Sequence, residues 1–80
     1  MPTVRRHGPY RLFFYSNEGF EPPHVHIERE TQAAKFWLKP VALAANHGFA
    51  ASELQTVYKI VRMLQKECWD AWHVHFRRAR

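Results

Sequence analysis

The stretch His24-Val25-His26-Ile27-Glu28-Arg29-Glu30-Thr31-Gln32-Ala33-Ala34-Lys35-Phe36-Trp37-Leu38 decides the fold. Val25 and Ile27, then Ala34, Phe36 and Leu38, alternate with polar or amphipathic neighbours. A period of two marks a strand with one buried face. Residues 29–31 form a short polar connection between the two runs, so they read as a hairpin and not as a crossover. Pro22-Pro23 bounds the first run and Pro40 ends the second.

Upstream of this hairpin, Gly8-Pro9 and the 17–19 turn cut the chain into two more runs rich in β-branched and aromatic residues. Strands are therefore expected at about 3–7, 10–15, 24–28 and 32–38. Short connections between consecutive strands predict an antiparallel meander. Residues 41–45 read equally as a short strand or a helical turn. Beyond about residue 51 the period changes. Leu54, Val57, Val61, Leu64, Cys68, Ala71, Trp72 and Phe76 recur at steps of three and four, the stripe of one amphipathic helix over about 51–76. At 1.5 Å per residue such a helix would run ~40 Å. That outreaches a four-stranded sheet, so its C-terminal half is expected to bend away or pack separately. The fold class is α+β: one domain over residues 1–80, with a long C-terminal helix on one face of the sheet.

Alternation assigns the faces. Val4, Leu12, Phe14, Val25, Ile27, Ala34, Phe36 and Leu38 share the parity that meets the helix. The other parity carries Arg5, His7, Arg11, Phe13, Tyr15, His24, His26, Glu28, Lys35 and Trp37. One helix covers one face, which leaves a second face of cations, histidines and aromatics. Phe13, Tyr15 and Trp37 there are candidates for stacking single-stranded bases, or for burial in a homodimer.

Charge is unevenly spread. The chain has 12 Lys and Arg against 7 Asp and Glu. Arg5, Arg6 and Arg11 near the start and Arg77, Arg78 and Arg80 at the end hold half of the cations and no acid stands among them. Such clusters are either solvated ends or an electrostatic footprint for RNA, DNA or an acidic partner. No apolar run is long enough for a membrane span or a signal peptide, so a cytoplasmic protein with no membrane contact is expected. A single cysteine, Cys68, excludes an internal disulfide and a cysteine-based zinc finger. Nucleotide-binding glycine motifs are missing.

The histidines stand out. Four of the six form two triplets, His24-Val25-His26 and His73-Val74-His75. Residues two apart on a strand point the same way, so His24 and His26 can converge on one ion; on a helix they diverge, so only one of His73 and His75 could join. His24, His26 and His73 are thus the candidate metal ligands, with zinc the natural ion and an oxygen from Glu21, Glu28 or Asp70. No cofactor is required by the sequence. The rival chemistry is metal-free RNA cleavage, with His24 or His26 and His73 or His75 as base and acid and an arginine on the phosphorane.

The segments Met1-Pro2-Thr3-Val4, Phe14-Tyr15-Ser16-Asn17, Glu21-Pro22-Pro23-His24-Val25-His26, Ala34-Lys35-Phe36-Trp37-Leu38, Gly48-Phe49, Glu53-Leu54 and Ala71-Trp72-His73 follow in one order. Together the chain resembles the bacterial "domain of unknown function 4160" family. The Glu-Pro-Pro-His-Val-His segment is its most specific mark. The resemblance implies a compact cytoplasmic α+β protein, encoded beside another small protein as in a toxin–antitoxin pair. It marks His24, His26, Trp72 and His73 as family features and attaches no role or activity to them. Ala50 stands where relatives commonly carry a small polar N-cap, a difference of ~1 kcal/mol in helix stability. The leading expectation is a non-enzymatic binding module that contacts a protein partner encoded nearby, nucleic acid or both. A histidine-dependent ribonuclease and a metal-binding domain are the alternatives.

Overall fold

The computed structural model describes residues 3–78, the side chain of Arg78 excepted. Five strands come first: β1 (Thr3–His7), β2 (Tyr10–Phe13), β3 (His24–Arg29), β4 (Gln32–Leu38) and β5 (Val41–His47). Two helices follow, α1 (Ala51–Met63) and α2 (Gln65–Arg78). The sheet order is β1-β2-β3-β4-β5 with every neighbouring pair antiparallel, an up-and-down meander. The hairpin read from the sequence pairs Val25 with Phe36 and Ile27 with Ala34, which puts all four apolar side chains on one face.

Three expectations need correction. The sheet has five strands and not four, because residues after Pro40 return as β5 and extend the meander. The second strand stops at Phe13, so Phe14 and Tyr15 lie beyond it. The long helix is two helices, broken at Leu64 (φ −100°, ψ 13°). The amides of Leu64 and Cys68 still donate to the carbonyls of Ile60 and Leu64, which holds the two helices together across the turn. Gln65 Nε2 donates to the Leu38 carbonyl and ties the break to the end of β4. The break divides the covering of the sheet: α1 packs mainly on β5, and α2 packs on β3, β1 and β4.

Leu12, Val25, Ile27, Phe36 and Leu38 are buried beneath Val57, Ile60, Val61, Leu64 and Cys68. Burial pushes the Cys68 thiol up to about 12, with Glu67 adding to the effect, so Cys68 is an inert core residue. Ala50 offers no side-chain cap to α1. The start of α1 is held instead by Glu53, whose carboxylate accepts from Arg29 through Nε and a terminal nitrogen (2.6 and 2.8 Å) and from the Tyr10 hydroxyl (2.8 Å). Arg29 and Tyr10 outweigh burial and hold the Glu53 carboxyl below its ordinary value. A depressed folded value contributes stability above the unfolded carboxyl range and loses it as pH falls through the folded value. Glu53→Gln is therefore expected to flatten part of the acid limb of a stability–pH curve. Superimposable acid limbs for Glu53→Gln and wild type would refute this role.

Among the described residues, no helix is long and apolar enough to cross a membrane.

Candidate functional site

A one-residue irregularity re-sorts the cations. Thr3 faces Phe13 while Arg5 faces Leu12, so Val4 is an extra residue in β1. Such a bulge moves the following side chains to the other face. Arg5 thus leaves the open face expected for it and pairs with Glu67 on α2 (2.8 Å). On the open face Arg11 pairs with Glu28 (2.5 Å) and Lys35 with Glu21 (2.6 Å). Arg6 and Arg77 make no ion pair among the described residues. Arg80 and the Arg78 side chain lie outside the described residues, as do Met1 and Pro2.

The aromatic face is re-sorted too. Phe13 is only 3% exposed. Its ring stacks on His26 at 5.3 Å, meets Tyr15 edge-on at 5.4 Å and carries the Arg11 guanidinium at 4.4 Å. It cannot offer a face to a base. Tyr15 is exposed, and Trp37 is partly covered with the Lys35 ammonium 4.8 Å from its ring.

The reason is the 14–23 segment. It folds back over the end of the sheet against α2. Phe14 packs on Trp72 (5.3 Å), His75 (5.3 Å) and Phe76 (5.5 Å). Gly19 approaches α2 so closely that a Cβ would lie 2.5 Å from the Phe76 ring. Within the segment, the Tyr15 amide donates to Glu18 Oε1 (3.0 Å) and the Glu18 amide to the Tyr15 carbonyl (3.2 Å). This turn aims the Glu18 carboxylate at the first residues of β3.

There it meets both strand histidines. His24 is fully buried, with Trp72 at 4.7 Å and Trp37 edge-on at 5.7 Å. Its Nδ1 lies 3.0 Å from the Pro22 carbonyl. A carbonyl only accepts, so Nδ1 carries a proton and donates it to Pro22. That Nε2 stands 3.0 Å from Glu18 Oε1 yet has no hydrogen-bond partner. His26 Nε2 stands 3.1 Å from each Glu18 oxygen. Burial lowers the His26 pKa against the opposing pull of Glu18, with His24 and Lys35 adding to the lowering. Burial alone would raise the Glu18 carboxyl, but the Tyr15 amide, His24 and His26 outweigh it and hold it low.

The strand triplet therefore converges as parity predicts. The helix triplet does not join it. His73 Nδ1 bonds the Trp69 carbonyl (2.9 Å) and its ring lies on Trp69, while His75 packs on Phe14 and Phe76. Among the described residues no ring of one triplet touches a ring of the other. The expected oxygen donors are paired with cations: Glu28 with Arg11, Asp70 with Lys66, and Glu21 with Lys35, its Oε1 standing 3.7 Å from His24 on the Nδ1 side, away from Nε2. Glu18 is the acid that sequence reasoning missed. It sits in the turn that returns the chain to β3, six residues before His24, and that return was the signal.

A second feature lies on the helix face. α1 leaves part of β4 and β5 uncovered, and a groove of about 750 Å³ runs there between Phe36, Leu43, Leu54, Tyr58 and Met63. Lys59 and Arg62 line it as well, and neither makes an ion pair among the described residues.

The family model for "Domain of unknown function (DUF4160)" matches residues 10–73. The chain belongs to the DUF4160 family. The match spans β2 to the middle of α2, so it contains Glu18, both strand histidines and Trp72 of this DUF4160 chain. No match was found among curated proteins or among solved structures.

Proposed function

We propose that the protein is a small protein-binding module that receives an acidic, apolar-anchored segment of a partner along β5 and into the adjoining groove. The observation that carries this reading is the contrast between the two sheet edges. β1 protects its edge with the charged Arg5 and Arg6, a usual defence against unwanted strand addition, whereas a one-residue bulge is common to both edge strands. β5 has no charged residue from Val41 to His47 and no strand beyond it. An uncharged edge beside an apolar groove suits strand addition, with backbone bonds for affinity and pockets for selectivity. Leu43 at 46% and Met63 at 62% exposure are large apolar side chains open to solvent at that groove. The unpaired Lys59 and Arg62 favour an acidic partner over a second copy, since a twofold pairing through β5 would set two cationic rims side by side. The protein encoded beside it in a toxin–antitoxin-like pair, which the family resemblance implies, is the first partner to try.

Nucleic acid draws less support. Three of the expected cations are already neutralised by carboxylates, and Phe13 is buried. Cleavage by a histidine pair drawn from both triplets draws less still, because His73 and His75 face elsewhere.

The test is a titration of the purified neighbour-encoded protein followed by calorimetry. Leu43→Glu and Met63→Glu are each expected to weaken the complex at least tenfold while the thermal midpoint of the free domain barely moves. A complex indifferent to both substitutions would sink this reading.

A further inference from the structure

We propose that Glu18, His24 and His26 form a mononuclear site for a divalent first-row transition ion of the zinc class, with a coordination position left open towards solvent. The proposal is independent of the docking edge, which lies at the opposite side of the meander from β2 and its following turn.

The first argument is the bare nitrogen. His24 Nε2 is buried without a hydrogen-bond partner and faces a carboxylate oxygen at 3.0 Å. With the ring neutral and its one proton on Nδ1, this nitrogen and the carboxylate oxygen are two acceptors and repel one another. A cation between them turns the repulsion into two bonds. An ordinary histidine–carboxylate pair satisfies His26, whereas Glu18 Oε1 is near His24 Nε2 without lying along its hydrogen-bonding direction, and buried polar atoms in native proteins are rarely left so.

Geometry is the second argument. The three donor atoms lie within 4.8 Å of one another, with the carboxylate oxygen 3.0 and 3.1 Å from the two nitrogens. Donors bound at about 2.0–2.2 Å around a tetrahedral ion stand roughly 3.3–3.6 Å apart, so the oxygen needs to draw back from each nitrogen by only a few tenths of an ångström. Two imidazoles and one carboxylate suit zinc, iron, cobalt or nickel, whereas calcium and magnesium demand oxygen donors.

The third argument is the support behind the donors. Metal-bound imidazoles characteristically donate their other ring nitrogen to a carbonyl or carboxylate, which fixes tautomer and orientation. His24 does so to Pro22. The Tyr15 amide fixes Glu18, and the His26 ring packs against both Phe13 and Tyr15. Trp72 and Trp37 wall the inner side at His24, while Glu18 and His26 keep some exposure. The ion would therefore be approached from the Glu18–His26 side, and three protein donors leave room there for water or a small ligand.

The test uses the full chain without a histidine tag, stripped with chelator and dialysed. Titration with Co(II) is expected to yield one equivalent with a visible d–d spectrum, and one equivalent of Zn(II) should displace it and raise the thermal midpoint. Glu18→Gln and His26→Ala, whose side chains are partly exposed, should each keep the fold by circular dichroism and weaken Co(II) binding at least a hundredfold. His73→Ala should leave the spectrum unchanged. If Glu18→Gln unfolds, Glu18→Asp provides the same reading, with weaker binding and an altered spectrum. No stoichiometric Co(II) or Zn(II) binding would overturn the proposal. So would binding that survives Glu18→Gln and His26→Ala, or that is lost in His73→Ala.

Discussion

Trp72→Ala is expected to leave the protein largely unfolded at room temperature. Trp72 is 4% exposed and is the point where α2, the 14–23 segment and β3 meet. Its ring contacts Phe14 (5.3 Å), His24 (4.7 Å) and Phe76 (4.2 Å). Truncating a buried tryptophan costs ~3–5 kcal/mol through lost burial and the cavity left behind. A domain of this size rarely holds more than ~3–5 kcal/mol in total. The loss is therefore comparable with the whole stability. Trp72→Phe keeps most of the volume and should cost less than about 1.5 kcal/mol. Urea denaturation followed by far-ultraviolet circular dichroism separates the two. A Trp72→Ala protein that melted within a few degrees of wild type would show that the end of α2 is not part of the cooperative unit.

Phe36→Ala carries the second large effect, for a different reason. Phe36 is buried at the middle of β4, with Val25 and Leu43 as its neighbours in register and Tyr58 of α1 at 6.2 Å. It forms both the floor of the core under α1 and the inner wall of the groove. Truncation again costs ~3–5 kcal/mol, which for 60–100 residues corresponds to a fall in thermal midpoint of roughly 12–40 °C. The cavity is expected to merge with the groove and so fill with water, since the groove opens to solvent. Phe36→Leu should lose far less. Equal melting of Phe36→Ala and Phe36→Leu would mean that α1 collapses onto the gap, and that the groove is not a fixed feature of the surface.

These substitutions locate the two regions in which sequence reasoning had different success. The core was legible because its determinants are periodic. Val25 and Ile27 against Ala34 and Phe36 need only a period of two, and Leu64, Cys68 and Trp72 only the helical step. The His24–His26 pair was legible for the same reason, since side chains two apart on a strand share a face. Glu18 was not, because its position depends on how a proline-bounded turn folds back over α2. No period describes such a turn. His73 stands apart from the His24–His26 pair because its Nδ1 bonds the Trp69 carbonyl and its ring lies on Trp69, contacts set by where α2 places that turn. Arg5 moved because a single extra residue in β1 reversed parity, and a bulge has no compositional signal in Thr3-Val4-Arg5.

The amino-acid sequence alone thus determined the α+β class, the antiparallel meander, the buried apolar parity, the family and the convergence of His24 with His26. The family rests on the resemblance of its ordered motifs; the others follow from interactions between residues near one another in the chain or from an alternation that burial enforces. Tertiary structure alone decided the fifth strand and the break at Leu64. It also decided the capture of the sheet-face cations by carboxylates, the burial of Phe13, the arrival of Glu18 at the two imidazoles and the uncovered groove beside β5. Those features depend on distances between segments that no local pattern encodes: how far α1 reaches across the sheet, and how the 14–23 segment packs on α2.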